Sequence, residues 1–292
     1  MLKFFFNAAP NPMKIALLLE ELGLAFEPVP VDTRKGEQFA SAFLAVNPNA
    51  KVPAIVDGDV TVFDSNAILL YLADREQKFV PGMTQAKERG AALSWLLFIA
   101  SGIGPFSGQS VHFRHAAPEP KDYALNRYDF EAHRHWTVVE KHLSQHTFML
   151  GEHYSIVDMA LWGWARMLPY VLGTGDATWT QYPHIKRLLD LVNARPAAQR
   201  AEAFKARYTF KAEMDAEAKK FMWAPPPNVV AFERFIEWTH KERAAGKYIC
   251  YGVVPHGKED AWGVFELRQL QPGFVRGELG FVIAPSYWGT GV

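Results

Sequence analysis

Three short stretches of this chain carry residue types suited to holding a small anionic peptide: Asn11, Val52-Pro53 and Asp64-Ser65. A proline after Val52, just before the strand-like run Ala54-Ile55-Val56, predicts a cis peptide bond in a tight turn. Such a turn leaves the N–H and C=O of Val52 facing outward, where an extended peptide can pair with them as one more strand would. Beyond it, Asp64-Ser65 opens a helical pattern through Ala67, Ile68, Leu69, Tyr71 and Leu72, with Ser65 expected at the N-cap. The bare N–H groups and positive dipole of that end suit a carboxylate. Upstream, Pro10-Asn11-Pro12 separates the apolar strand Leu2 to Phe6 from a helix carrying Ile15, Leu18, Leu19 and Leu22, and Asn11 reads as its N-cap because proline fits the first turn. An amide there, with the helix dipole, can donate to an anion such as a thiolate.

These residues need a scaffold of strand, helix, strand, helix, the hairpin Val56-Asp57-Gly58-Asp59-Val60 and a closing helix. That order resembles the thioredoxin-like domain of a glutathione transferase, and more closely the bacterial nu class, whose members reduce disulfides with glutathione. The resemblance runs from Leu2 to about Lys211. It rests on Pro10-Asn11, Lys35-Gly36-Glu37-Gln38-Phe39, Asn49 to Val56, Asp64 to Leu72, and Gly108-Gln109 with His112 to Pro118.

The resemblance implies a role for each matching position. Asn11 would donate to the sulfur of glutathione and hold it as thiolate. Val52, with Pro53, would clamp the peptide backbone. Ser65 would hold the γ-glutamyl carboxylate and Asp64 the α-amino group, while Gln38 and Lys51 would sit near the glycyl carboxylate. Arg127 would reach toward the bound peptide from the second domain, across a homodimer. Two positions depart from the class: Ala9 stands where many members carry Thr, which removes a hydroxyl donor, and Asp64 is one methylene shorter than the usual Glu.

Composition narrows the partner. With 49% apolar and 14% aromatic residues, 292 residues can bury two cores. The 31 basic and 31 acidic residues are interspersed, so no nucleic-acid or anionic-membrane footprint shows. Cys250 is the one cysteine, which excludes an intrachain disulfide framework or protein dithiol; thiol chemistry must be borrowed. The N-terminal apolar run is too short for a signal segment, and no apolar stretch is expected to reach the roughly 20 residues that span a bilayer, so a cytoplasmic, membrane-free protein is expected. Ten histidines include pairs two, three and four residues apart, but no cysteine or acidic cluster completes a zinc signature, and no metal is expected.

Three domains are expected: 1–80, α/β thioredoxin-like and glutathione-binding; 85–211, all-helical; and 221–292, an incomplete α+β segment. In the helical domain, Gly102-Ile103-Gly104-Pro105 predicts a kink, and Ser155-Ile156-Val157-Asp158 a capping box ahead of Met159, Leu161, Trp162 and Trp164, read as core. A charged helix over Lys211 to Lys220 and a stiff connector, Ala224 to Asn228, lead to an amphipathic helix through Val230 and Trp238. Strand-like runs follow at Tyr248 to Val254, Trp262 to Leu267 and Glu278 to Ile283, closing on Ser286 to Gly291. That segment resembles the middle of an acyl-CoA-dependent N-acetyltransferase. Its Gly-rich loop ends at Val292 with no following helix, so no acetyltransferase activity is expected.

The implied chemistry is reduction of small disulfides by glutathione thiolate, with conjugation to electrophiles open to the same nucleophile. A non-catalytic glutathione- or protein-binding relative is the rival reading, fed by Ala9; acyl transfer by the C-terminal segment is another.

Overall fold

The computed structural model describes residues 1–117, 121–210, 241 and 244, and the strand backbones 248–253, 263–269 and 277–283. The expected charged helix, connector, amphipathic helix and closing Gly-rich turn lie outside the described residues. Two compact units divide the chain, Met1–Met222 and Trp223–Val292.

The first unit opens with β1 (Leu2–Phe6), α1 (Pro10–Leu22), β2 (Phe26–Pro30), the short α2 (Ser41–Leu44), β3 (Ala54–Asp57), β4 (Val60–Phe63) and α3 (Ser65–Glu76). The sheet order is β2-β1-β3-β4, with β1 parallel to β2 and the other pairs antiparallel. The β3–β4 hairpin turns at Gly58, whose φ of 64° lies in the left-handed region that glycine enters without steric cost.

Helix α1 is apolar on every side, from Ile15 to Leu19, because it is packed all round. Helix α3 lies against it, as do two helices from the second half of the unit, and its buried side chains share one core with Phe4, Phe6 and Ile55 of the sheet. Each fully buried Leu or Ile there contributes about 1.5–3 kcal/mol. Lys14, 1% exposed, interrupts that run.

The helical half comprises α4 (Ala86–Phe98), α5 (Gly104–Val111), α6 (Asp122–Leu143), α7 (Ile156–Ala165), α8 (Leu168–Leu172), α9 (Thr178–Gln181), α10 (Pro183–Asn193) and α11 (Pro196–Lys205). Between α4 and α5 the predicted kink takes the form of a π-helical turn, Ile99–Ile103, which ends where Pro105 cannot donate an N–H. Helix α6 crosses there at close range: a Cβ on Gly102 would meet the His135 ring at 2.3 Å. One expectation needs correction, since the continuous helix Ala86–Ala116 has the length and apolar composition to span a bilayer. Instead it places Ala92, Leu96, Ile99 and Ile103 in the core. The predicted capping box is formed at α7: the Ser155 Oγ accepts from the Val157 N–H, and Asp158 accepts from the Ser155 and Met149 N–H groups at 2.8 and 2.7 Å. Burial pushes the Asp158 carboxyl up to about 6.

In the second unit, β5 (Tyr248–Val253), β6 (Gly263–Gln269) and β7 (Gly277–Ile283) pair as an antiparallel meander, Tyr248 opposite Arg268 and Gly263 opposite Ile283.

Candidate functional site

The N-terminus of α1 is built differently from the expected Asn cap. Pro10 begins the helix and Ala9 is the N-cap, without a side-chain capping bond, so Asn11 is the second helical residue. The earlier start follows from Pro10 itself fitting the first position. Asn7 braces the turn: its Oδ1 accepts from the Ala9 N–H at 3.0 Å and its amide donates to Thr33 Oγ1 at 3.1 Å. Pro10 and Pro12 have no N–H, which leaves that of Asn11 as the first turn's backbone donor until Met13, bonded to Ala9 O.

The side chain of Asn11 is oriented from the helical half. Trp164 of α7 donates its indole N–H to Asn11 Oδ1 at 3.0 Å. An indole nitrogen can only donate, so the amide presents its oxygen to Trp164 and its NH2 elsewhere. Trp164 packs against α5, where a Cβ on Gly104 or Gly108 would come within 3.3 and 3.5 Å of the ring.

At α3 the N-cap is Asp64, not Ser65. Asp64 has φ 73° and its Oδ1 accepts from the N–H groups of Asn66 and Ala67 at 2.9 and 3.1 Å. Two neighbouring residues could each cap, and the carboxylate, a stronger acceptor aimed at the helix dipole, takes the position. Ser65 is the first helical residue, buried, and its Oγ accepts from Lys14 Nζ at 3.3 Å. The Ser65 hydroxyl proton is thereby turned away from Lys14. Burial pulls the Lys14 ammonium down to about 7, against the opposing attraction of Asp64.

Between these two helix ends runs the loop into β3. Asn47 is buried and bridges it, donating to Lys51 O at 2.6 Å and accepting from the Asn49 N–H at 3.0 Å. The Val52–Pro53 bond is cis. Among the described residues neither the N–H nor the C=O of Val52 has a hydrogen-bond partner. Gln38 is buried, with its Oε1 unpartnered, and so is Asn66 Oδ1. Lys51 is exposed.

Asn11 therefore shares α1 with Lys14, which touches Ser65; Asp64, Ser65, Val52 and Pro53 border the ends of β3, β4 and α3. Arg127 belongs to α6, where it is 55% exposed and bonded to Glu131 at 2.9 Å. Among the described residues no bond ties it to the other site residues. Three residues were missed by sequence reasoning: Lys14, Trp164 and Asn47. Lys14 carried a signal, a single charge inside the apolar run Met13 to Leu19; Trp164 carried none, because its partner is 153 residues away. Among the described residues no group of three or more His, Cys, Asp and Glu could hold a metal.

Comparison with known proteins gives a consistent picture. Residues 2–74 match the family model of the glutathione S-transferase N-terminal domain and residues 123–191 that of the C-terminal domain. The disulfide-bond oxidoreductase YfcG of Escherichia coli is 38% identical over 215 residues, 69% of this chain and 94% of the relative. A glutathione transferase family member from Pseudomonas fluorescens, solved with two glutathione bound, is 35% identical with a TM-score of 0.64, covering 68% of this chain and 91% of that one. A glutathione transferase from Pseudomonas putida, solved with one glutathione disulfide per subunit, is 32% identical with a TM-score of 0.64, covering 68% and 90%.

Proposed function

Because the chain belongs to the glutathione S-transferase family, we propose that its first unit binds glutathione and uses the thiolate to reduce small disulfides. The observation that carries the reading is the Asn11 amide, fixed by Trp164 at the start of α1, on a turn where Ala8-Ala9-Pro10 offers neither hydroxyl nor thiol. A free thiol, with a pKa of about 8.5, is only a few per cent thiolate at neutral pH, and an amide donor with a helix N-terminus favours the anion. Lowering that pKa by about two units corresponds to about 2.7 kcal/mol.

In the first step the glutathione sulfur attacks one sulfur of the disulfide. A glutathionyl mixed disulfide forms and the other sulfur leaves as thiolate, taking a proton from solvent. A second glutathione attacks the mixed product, releasing the remaining thiol and glutathione disulfide. Two glutathiones are oxidised and one disulfide is reduced. The disulfide-bond oxidoreductase among the relatives and the neighbour holding glutathione disulfide support this direction.

For the ligand, Val52 supplies the backbone clamp beside Pro53, and Ser65 donates to the γ-glutamyl carboxylate. The Asp64 carboxylate receives the α-amino group, and Gln38 and Lys51 serve the glycyl end. Support comes from the Val52 backbone, whose N–H and C=O have no hydrogen-bond partner among the described residues and so are free to pair with a peptide. Arg127 approaches the ligand in a homodimer. Domains 1–80 and 85–211 form the enzyme, in a reducing cytoplasm suited to free glutathione. Domain 221–292 is dispensable for this chemistry, and deletion after about Lys220 leaves glutathione turnover intact.

The test pairs two substrates on the full chain: hydroxyethyl disulfide, followed through glutathione reductase, and a chlorinated nitroaromatic. Disulfide turnover exceeds conjugation under this proposal; the reverse order would make conjugation the main activity.

A further inference from the structure

A lysine with its ammonium buried and no ion pair is costly to keep. Lys14 is 1% exposed, its Nζ reaches one neutral acceptor, Ser65 Oγ at 3.3 Å, and two of its three N–H donors lack protein partners among the described residues. The fold makes room for it deliberately: α7 carries Gly163 where any Cβ would come within 2.7 Å of Lys14 Cγ and 2.6 Å of Pro10 O. The side chain is thus threaded between α1 and α7 to end under the first residue of α3.

Resting on the glutathione reading above, we infer that Lys14 is the buried cation of the γ-glutamyl subsite, acting on the ligand carboxylate through Ser65 and coupling glutathione binding to uptake of a proton. Lys14 donates to the Ser65 oxygen, so the Ser65 hydroxyl is left to donate to the carboxylate, and the ammonium beneath adds its charge. Lys14 is a positioning residue in this arrangement.

Other charges around it are already engaged. Asp64, the α3 N-cap, is the carboxylate acting on Lys14. Elsewhere on α3, Tyr71 and Arg75 bond Asp57, Arg75 also bonds Glu76, and Asp74 pairs with Arg89. From α7, Asp158 is held in its capping box and Arg166, just past the helix, pairs with Glu202. From α11 and its cap, Arg195 and Arg200 pair with Glu21 and Glu20 of α1, and Lys205 pairs with Glu202. With burial holding the ammonium near a pKa of about 7 in the free protein, a bound carboxylate shifts Lys14 toward its charged form.

The probe is S-methylglutathione, which keeps the γ-glutamyl end and has no ionisable thiol. Calorimetry on the full chain, in buffers of different ionisation enthalpy, reads protons taken up on binding. The expected result is about half a proton near pH 7, with affinity falling as pH rises from about 6 to 8. In Lys14→Met the uptake and pH dependence vanish and affinity at pH 6 drops by about tenfold. If Lys14→Met does not fold, wild-type uptake decides alone: pH-independent binding without proton exchange overturns the inference, as does uptake that persists in the variant. No binding of either S-methylglutathione or glutathione overturns the glutathione reading itself and this inference with it.

Discussion

Two helix N-termini, those of α1 and α3, serve one proposed ligand by opposite means. The α1 end has an alanine N-cap, no side-chain cap and two prolines without N–H, so its dipole is left uncompensated and its one presented donor group is Asn11. The α3 end is closed by its own carboxylate, Asp64, and recharged from beneath by Lys14. A soft thiolate needs field and a donor but little geometry; a carboxylate beside an ammonium needs directed partners of both signs. Under the proposed reading a bare helix end and a capped one both act as anion sites, the capped one by importing a cation.

The largest test of that contrast is one of pH. Lys14 has a lowered pKa in the folded protein, about 7 against 10.5, so between those values the unfolded chain binds more protons and stability rises with pH. The slope approaches about 1.4 kcal/mol per pH unit, and Lys14→Met abolishes Lys14's share of it. Denaturant melts of both proteins across that range, without ligand, check it. Next, Asn11→Ala lowers disulfide turnover by about tenfold to hundredfold while glutathione stays bound, as loss of a donor to a developing anion does. Ser65→Ala weakens glutathione by about 1–3 kcal/mol, measured by calorimetry, and leaves the chemical step of bound substrate unchanged. Trp164→Phe keeps the ring and removes the donor; with the amide free to flip, turnover drops by an amount equivalent to about 1 kcal/mol and affinity holds. Smallest is Ala9→Thr, which restores a hydroxyl beside the thiol and raises turnover about threefold.

Much of this was readable from the sequence because it is local. The hairpin at Gly58, the cis Val52–Pro53 bond, the irregular helical turn before Pro105 and the Ser155–Asp158 box each follow from a few adjacent residues. Both N-caps were displaced, by two residues at α1 and by one at α3, since Pro10 fits the first helical position as well as Pro12 does and the Asp64 carboxylate outcompetes the Ser65 hydroxyl for the cap. The Trp164–Asn11 bond and the Lys14–Ser65 bond were not readable, because they join elements 153 and 51 residues apart and no periodicity records such a meeting. Arg127 illustrates the reverse: an i,i+4 pair with Glu131 is what a helix surface alone provides.

The central claim is that the α1 end holds glutathione as thiolate through Asn11. Its most direct measurement is the thiol pKa of bound glutathione, followed by thiolate ultraviolet absorbance on wild type and Asn11→Ala at saturating ligand. The account predicts a value depressed by about two units in wild type and substantially restored in the variant. An ordinary thiol pKa of about 8.5 in the wild-type complex, or a depressed value unchanged by Asn11→Ala, would contradict it.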